Sequence, residues 1–379
     1  MPPALSCFPP MNASLITPPL PNSPKQRRYW HPPHGSALAL ALAEAGRHHD
    51  GLVVAVTRDT HGAQTLETEL GVFAGDALEV LHFPDWETLP YDLFAPHPEI
   101  VSQRIATLYR LPATRRGVLI VPVGTLLQRL APPSYIGGTG LVLETGQRFD
   151  LAAEQRRLEA AGYRHVPQVL EPGDFAVRGA IVDIFPMGTD EPYRIELFDE
   201  DIDSIRTFDP ETQRSAQKVA TVRLLPAREF PLTDESSKAF RAALQERFTI
   251  DIRRCPLYQD LKEGTTPAGI EYYLPLFFRE TATLFDYLGR DALFVLGEGA
   301  LDAAEHFWKQ AGERHEQRAH DVERPILPVG ELYLTPEQLR ERLNQVLRAD
   351  LVPAGSNPHV VDLGTQPAPI VPLTRRGET

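Results

Sequence analysis

The sequence predicts an α/β protein in which a parallel-sheet domain is interrupted by a small α+β insert. Buried-strand runs at Gly51–Thr57 (GLVVAVT) and Gly117–Pro122 (GVLIVP) alternate with helical segments, which is typical of a parallel sheet. A break rich in turn residues, Pro132–Gly140, precedes one helix and a run of short strands. Another buried run, Asp291–Leu296 (DALFVL), then lies between helices, so we expect the later part of the chain to rejoin the first layer.

Breaks in composition divide the chain into five segments. The two ends are rich in proline, and the last is also rich in glycine, which is typical of chain without a packed core. The expected segments are a disordered tail at 1–28, the first part of the α/β domain at 29–137, the inserted α+β domain at 138–228, the second part of the α/β domain at 229–350, and a linker or truncated end at 351–379.

Local signals support the individual elements. Ser36–Ala45 (SALALALAEA) is rich in Ala and Leu, and Gly46 is placed to end that helix. Thr335 and Pro336 are typical of the first positions of a helix. Further helices are expected at Thr60–Leu70, Ile100–Arg110, Thr125–Leu130, Asp150–Ala161, Asp234–Phe248, Ala300–His320 and Thr335–Leu347, and further strands at Leu78–His82, Leu141–Glu144 and Lys218–Leu225.

Charge and cysteine content exclude several classes of protein. The 379 residues carry a formal net charge of −13, which argues against a chain that grips a nucleic-acid backbone. Only two cysteines are present, so a disulfide framework is not indicated and a cytoplasmic location is expected. The proline-interrupted start does not resemble a signal peptide, and no apolar run is long enough to span a bilayer.

No motif for nucleotide, metal or catalytic chemistry is found. A phosphate-binding loop needs a lysine after a glycine, and none of the five lysines follows one. Gly35-Ser36 does precede a helix, as a remnant of such a loop would. The histidines are not spaced as ligands on one helical face, and no serine or cysteine has the setting of a nucleophile. We therefore expect no cofactor, no metal and no catalysis.

Two strands near the middle of the insert, Ala176–Phe185 and Tyr193–Asp199, contain the candidate site. Because side chains alternate along a strand, Arg194, Glu196 and Phe198 share the face opposite the apolar one.

An aromatic ring on a charged face, with Arg178 one strand earlier, suggests a protein-docking patch, since aromatic and Arg side chains dominate interface energetics. The alternative is that Phe198 packs under a helix while the arginines pair with Glu196 or Asp199.

Five stretches carry a resemblance to a known family. They read FPDWETLPYDLFAPHPEIVSQRIATLYRL, RGVLIVPVGTLLQRLAPP, GYRHVPQVLEPGDFAVRGAIVDIFPMG, YRIELFDEDIDSIRTFD and PAGIEYYLPLFFRETATLFDYL. They resemble the N-terminal region of the bacterial transcription-repair coupling factors, the Mfd family, over about residues 30–350. The middle stretch is also similar to the excision-repair protein UvrB, with which that family shares a module.

The resemblance implies a UvrB-like fold, with a degenerate helicase-like domain made discontinuous by the insert. It further implies that the insert binds UvrA through the positions that match Arg178, Arg194 and Phe198. The two guanidinium groups would engage carboxylates of the partner while Phe198 adds apolar contact. The module itself would be non-catalytic and would mimic UvrB.

The resemblance also implies that RNA polymerase binding and ATP-driven DNA translocation belong to later domains of full-length relatives, and that this chain stops before them. The alternatives are a UvrB-like ATP-dependent DNA repair enzyme and a direct DNA-binding module.

Overall fold

The computed structural model describes residues 14–138, 140–249 and 251–366. Its strands, in chain order, are β1 (Arg28–Trp30), β2 (Leu52–Thr57), β3 (Val80–His82), β4 (Gly117–Pro122), β5 (Leu141–Glu144), β6 (Arg164–His165), β7 (Asp174–Arg178), β8 (Ile181–Ile184), β9 (Tyr193–Phe198), β10 (Asp201–Phe208), β11 (Ser215–Val219), β12 (Thr221–Leu224), β13 (Leu293–Leu296), β14 (Leu347–Leu351) and β15 (Val360–Val361).

The helices connect these strands and cover the sheets. They are α1 (Ala37–His48), α2 (Thr60–Ala74), α3 (Pro98–Arg110), α4 (Val123–Leu126), α5 (Pro133–Gly138), α6 (Leu151–Ala160), α7 (Asp234–Arg247), α8 (Pro256–Lys262), α9 (Ala300–Arg318), α10 (Val329–Leu332) and α11 (Pro336–Leu343).

A seven-stranded sheet forms the centre of the α/β layer, in the order β15-β1-β14-β13-β2-β4-β3. Its pairings are all parallel. Strands β2, β4 and β13 are apolar on both faces because helices cover both sides. One face packs on α1 and α2, and the other on α3, α9 and α11.

The sheet is built from two separate parts of the chain. Strand β13, which follows the insert, lies between β2 and β14, with Leu293 opposite Val53. The discontinuous parallel-sheet fold expected from the sequence is therefore confirmed.

The chain segment between β4 and β13 forms a second sheet. Its order is β11-β10-β9-β8-β7-β6, antiparallel except for the parallel pair β6 and β7. A separate ribbon pairs β5 with β12. Side chains from this sheet, the ribbon and α6 share one core, to which Ile105 of α3 also belongs. This is the expected α+β architecture.

The loop after β8 holds the second sheet against the α/β layer. Gly188 lies at φ +79°, and its amide donates to Oγ of Ser102 on α3 at 2.7 Å. A Cβ at Gly188 would lie 2.9 Å from Cβ of Ala106, so this close approach to α3 requires glycine. This contact attaches the insert to α3 at a point separate from the two places where the chain enters and leaves the insert.

Parts of both terminal segments differ from the expectation of disorder or linker. Pro18, Pro19 and Pro21 are buried, and Trp30 Nε1 donates to the carbonyl of Pro19 at 3.1 Å. Proline restricts the unfolded chain, so ordering such a segment costs less entropy, and the buried indole gains both a cover and an acceptor. The rest of the predicted tail, residues 1–13, lies outside the described residues.

At the other end, Leu351 belongs to β14, and Val360–Val361 pairs with β1 as a strand of the large sheet. The segment from 351 therefore begins within the domain and not as a linker. Residues 367–379 lie outside the described part of the chain.

Candidate docking face on the inserted sheet

The register of β7, β8 and β9 decides which side chains share a face. Arg178 lies opposite Ile181, which in turn lies opposite Glu196. Two residues further along β8, Asp183 lies opposite Arg194 of β9. These side chains all project from one face of the sheet, which we call the outer face.

The inner face fixes that register. Val182 and Ile195, which are paired across β8 and β9, are each 1% exposed, and Ile205 of β10 is fully buried beside Ile195. A slip of one residue would expose this apolar set, so the register is strongly specified. The alternation expected along β9 is therefore present, with Arg194 and Glu196 on the outer face.

Arg178 and Arg194 converge on one buried carboxylate, that of Asp183. The Arg194 Nε and Nη2 atoms donate to Oδ1 at 2.7 Å and to Oδ2 at 2.9 Å, and Arg178 Nη2 also donates to Oδ2. Asp183 is 1% exposed, while the side chains of Arg194 and Arg178 are 14% and 46% exposed. The two guanidinium groups are thus held together by one shared acceptor.

Arg194 has further contacts that tie it to its own sheet. Its Nη1 donates to the carbonyl of Gln213 at 3.0 Å and to Oγ of Ser215 at 3.3 Å. Its guanidinium carbon lies 4.7 Å from the centroid of the Phe208 ring. The hydrogen bonds to Asp183 raise the pKa of the Arg194 guanidinium, against the opposing effect of burial. Arg194 therefore stays charged and in place.

Phe198 projects into solvent at the end of β9 and is 77% exposed. Two residues, Asp199 and Glu200, connect β9 to β10, and Asp199 has φ +60°. A two-residue hairpin with positive φ matches the twist of the paired strands, and Phe198 pairs with Asp201 directly beside this turn. The alternative, in which Phe198 packs under a helix, is wrong.

The three predicted residues lie at neighbouring positions on the outer face. The Leu197 amide donates to the carbonyl of Ala180 at 2.8 Å, so the turn after Arg178 lies beside the end of β9 that carries Phe198. Glu196 lies between Arg194 and Phe198 on the strand and accepts a hydrogen bond from Ser204 at 2.7 Å. The outer face thus presents one exposed ring, one half-exposed guanidinium and one nearly buried guanidinium.

Asp183 is the site residue that the sequence did not reveal. Arg178 and Arg194 do not pair with Glu196 or Asp199, because Asp183 takes both. One signal was available: Asp183 is the single charged residue in the run Ile181–Phe185. A charge in such a strand needs a partner, since an unpaired buried charge is costly.

The Gly35-Ser36 pair, which the sequence singled out because it precedes a helix, lies in the connection between β1 and α1. Residues 31–36 connect β1 to α1, and Gly35 has φ +57°. The Ser36 side chain donates to Glu69 at 2.9 Å and does not cap α1. The amide of His34 donates to Oγ1 of Thr365 at 3.2 Å, so part of the loop is engaged by the later chain.

The described residues contain neither a cluster of metal ligands nor a membrane-spanning helix. Within 14–138, 140–249 and 251–366, no group of three His, Cys, Asp or Glu side chains could hold a metal ion. Over the same residues, no helix is both long and apolar enough to cross a membrane.

Comparison with known proteins places the outer face in a recognised module. Residues 141–230 match the UvrB interaction domain, and this segment contains β5 to β12. The fold and this match define a UvrB-like α/β protein with an inserted interaction domain.

Over most of its length the chain is similar to the transcription-repair-coupling factors, which confirms the resemblance expected from the sequence. It is 43% identical to that of Haemophilus influenzae over 340 residues, which is 89% of this chain and 29% of the relative. With that of Escherichia coli the identity is 44% over 320 residues, covering 84% of this chain and 28% of the relative. The factor of Myxococcus xanthus is 32% identical over 308 residues, 77% of this chain and 26% of the relative. The chain thus spans less than a third of the length of these relatives.

Proposed function

We propose that this chain is a non-catalytic recruitment module that binds UvrA through the outer face of its inserted sheet. The observation that carries the proposal is Phe198, a 77% exposed ring at the end of β9, inside the segment that matches the UvrB interaction domain. Aromatic side chains are enriched at the energetic centres of protein interfaces, where they bury a large apolar area. Arg178 and Arg194 supply positive charge beside it.

In the proposed contact, the ring enters an apolar recess of the partner while Arg178 engages a carboxylate of the partner. Arg178 is the more available of the two arginines because nearly half of its side chain is exposed. The Arg–carboxylate bond would be desolvated on docking, and losing such an Arg costs roughly 2–5 kcal/mol. The module would in this way offer UvrA a surface similar to that of UvrB.

The relatives couple transcription to repair, and we propose the same role for a protein that contains this module. RNA polymerase and DNA would be engaged by other domains of such a protein, in the cytoplasm. We further propose that residues 138–228 act as the interaction unit, while 29–137 and 229–350 form the scaffold that carries it.

The experiment is a titration of UvrA with the purified chain and its variants Phe198→Ala and Arg178→Ala. Each variant should weaken binding at least tenfold, because each removes a group that a partner can reach. Val72→Ala is the matched control: Val72 lies on α2 of the scaffold and is 76% exposed, so the variant removes comparably exposed apolar surface away from the insert. Unchanged affinity of the Phe198→Ala, Arg178→Ala double variant would refute the proposal.

Arg194→Ala needs a different interpretation. Its guanidinium bonds Asp183, Gln213 and Ser215, so the variant removes structure within the sheet as well as charge from the face. We expect it to lower the melting temperature, whereas Phe198→Ala should leave the melting temperature nearly unchanged. Binding by Arg194→Ala must therefore be measured well below its own melting transition.

A further inference from the structure

Asp183 lies at the centre of the outer face and yet is 1% exposed, so a docked protein cannot touch it. Both of its carboxylate oxygens are used: Oδ1 accepts from Arg194, and Oδ2 accepts from Arg194 and Arg178. A carboxylate that receives a bidentate Arg fixes the plane and direction of that guanidinium. The same oxygen then ties Arg178 to this fixed group.

The donors of the two arginines are used very differently. A guanidinium has five N–H groups, and Arg194 makes four hydrogen bonds within the sheet. One N–H of Arg194 is left for a partner. Within the described residues, Arg178 makes a single hydrogen bond, in which one Nη2 hydrogen is donated to Asp183. The guanidinium of Arg178 therefore has N–H groups available for a partner, and its hydrogen bond to Asp183 ties it to the Asp183–Arg194 pair.

We propose that Asp183 is a positioning residue of the docking face: it determines binding by orienting Arg178 and Arg194 without contacting the partner. The inference rests on the proposed function, since it concerns the same face. Two guanidinium groups share the carboxylate, so the cluster has one excess positive charge. Without Asp183 the two cations would repel each other and sample many rotamers, and docking would have to order them again.

The substitution Asp183→Asn separates orientation from charge because the two predict opposite signs. Asn is close in shape to Asp, but it removes a negative charge from beneath the face and breaks the bidentate contact with Arg194. If the face attracted an acidic partner through net charge alone, Asp183→Asn would bind more tightly. If orientation matters, as we propose, the variant binds UvrA at least tenfold more weakly than the parent chain.

The test uses the full chain and purified UvrA at a temperature where each variant is folded, with the melt recorded alongside. Two controls isolate positioning from general destabilisation. The binding loss of Asp183→Asn should disappear when Arg178 and Arg194 are already alanine, whereas its effect on the melt should persist. The Arg194 Nε–H signal in proton–nitrogen NMR spectra should exchange faster with water in Asp183→Asn, which reports directly on the lost bond.

A second variant covers the case in which Asp183→Asn does not fold. Arg194→Lys keeps the charge but cannot make the bidentate contact, and it should also bind at least tenfold more weakly. Unchanged or tighter binding by Asp183→Asn or by Arg194→Lys would overturn the inference while the Phe198→Ala result still supports the docking face. A parent chain that does not bind UvrA would overturn both proposals.

Discussion

Arg104 and Glu229 form a buried bidentate ion pair between the two parts of the α/β domain. The Arg104 Nε and Nη2 atoms donate to the two carboxylate oxygens of Glu229 at 2.6 and 3.2 Å, and Nη1 donates to the carbonyl of Pro84 at 2.7 Å. The guanidinium also lies 4.3 Å from the Phe83 ring centroid. Glu229 directly follows the insert. The ion pair therefore holds the start of the second part of the α/β domain against α3 of the first part.

Removal of one member of this pair should destabilise the protein strongly. In Arg104→Ala or Glu229→Ala the remaining charge is buried without its partner, which costs roughly 3–5 kcal/mol. Chemical denaturation should show the loss as a lower midpoint at an unchanged slope. The control is Arg340→Ala, which breaks the pair with Glu305, whose side chains are 40% and 54% exposed. Such surface pairs contribute about 0–1 kcal/mol, and an equal loss in the control would contradict the prediction.

The chain before β1 should contribute to stability although it is rich in proline. Trp30 is fully buried, the carbonyl of Pro19 accepts its Nε1–H, and Leu20 packs against the apolar cluster that contains it. A chain that begins at residue 22 exposes part of the indole and leaves its N–H without that acceptor. We expect a loss of about 1.5–3 kcal/mol, the value for exposing one large apolar side chain. The reference is a chain that begins at residue 14, and equal melting temperatures for the two would contradict the expectation.

Apolar runs predicted the central strands well because helices cover both of their faces. The strand β14 was missed, and its first residue was assigned to the preceding helix, which actually ends at Leu343. Arg348 and Asp350 interrupt the apolar pattern there, although both are buried and Arg348 Nε donates to Asp350 at 2.6 Å. In the sequence alone, these two charged residues indicate the polar end of a helix. Their mutual pairing, which allows them to be buried in a strand, is visible only in the structure. Strand β1 was missed because three residues carry too little periodicity.

In the candidate site, the features that depend on local sequence were predicted, and those that depend on long-range contacts were not. Alternation along β9 is local, and it correctly placed Arg194 and Glu196 on the face opposite Ile195. The partner of Arg194 depends on the register between β8 and β9, which is a long-range property, so the pairing with Asp183 was not among the pairings expected for the arginines, which named only Glu196 or Asp199. Exposure of Phe198 also depends on which elements cover the sheet, so it could not be read from the strand alone.

The loop between β1 and α1 should not bind ATP. Phosphate loops hold their ligand with backbone N–H groups and one lysine, whereas residues 31–36 include Pro32 and Pro33, which have no N–H, and no lysine. The amide of His34 is already bonded to Thr365. Isothermal titration with Mg-ATP should give no saturable heat, and the melting temperature should not rise with ATP concentration, as it would for a ligand that binds the folded state. A saturable signal would instead favour the ATP-dependent repair enzyme.

Stability should fall as the pH rises from about 4.5 to about 7, because of Glu271. Burial raises the pKa of this carboxyl from 4.5 to about 7, and Arg228, 4.0 Å away, only partly offsets the effect. Between these two values the unfolded chain is ionised at this position while the folded chain still binds the proton, so folding becomes less favourable with rising pH and levels off above 7.

Glu271→Gln keeps a neutral side chain at every pH, and it should remove this fall in stability. At pH 8 the variant should be more stable than the parent by up to roughly 3 kcal/mol, since one pKa unit corresponds to about 1.4 kcal/mol. At pH 4 the parent carboxyl is largely neutral in both states, so the two proteins should have similar stability there, which makes the low-pH measurement an internal control. Urea denaturation at a series of pH values measures the difference, and parallel curves for the two proteins would show that Glu271 is ionised in the folded chain.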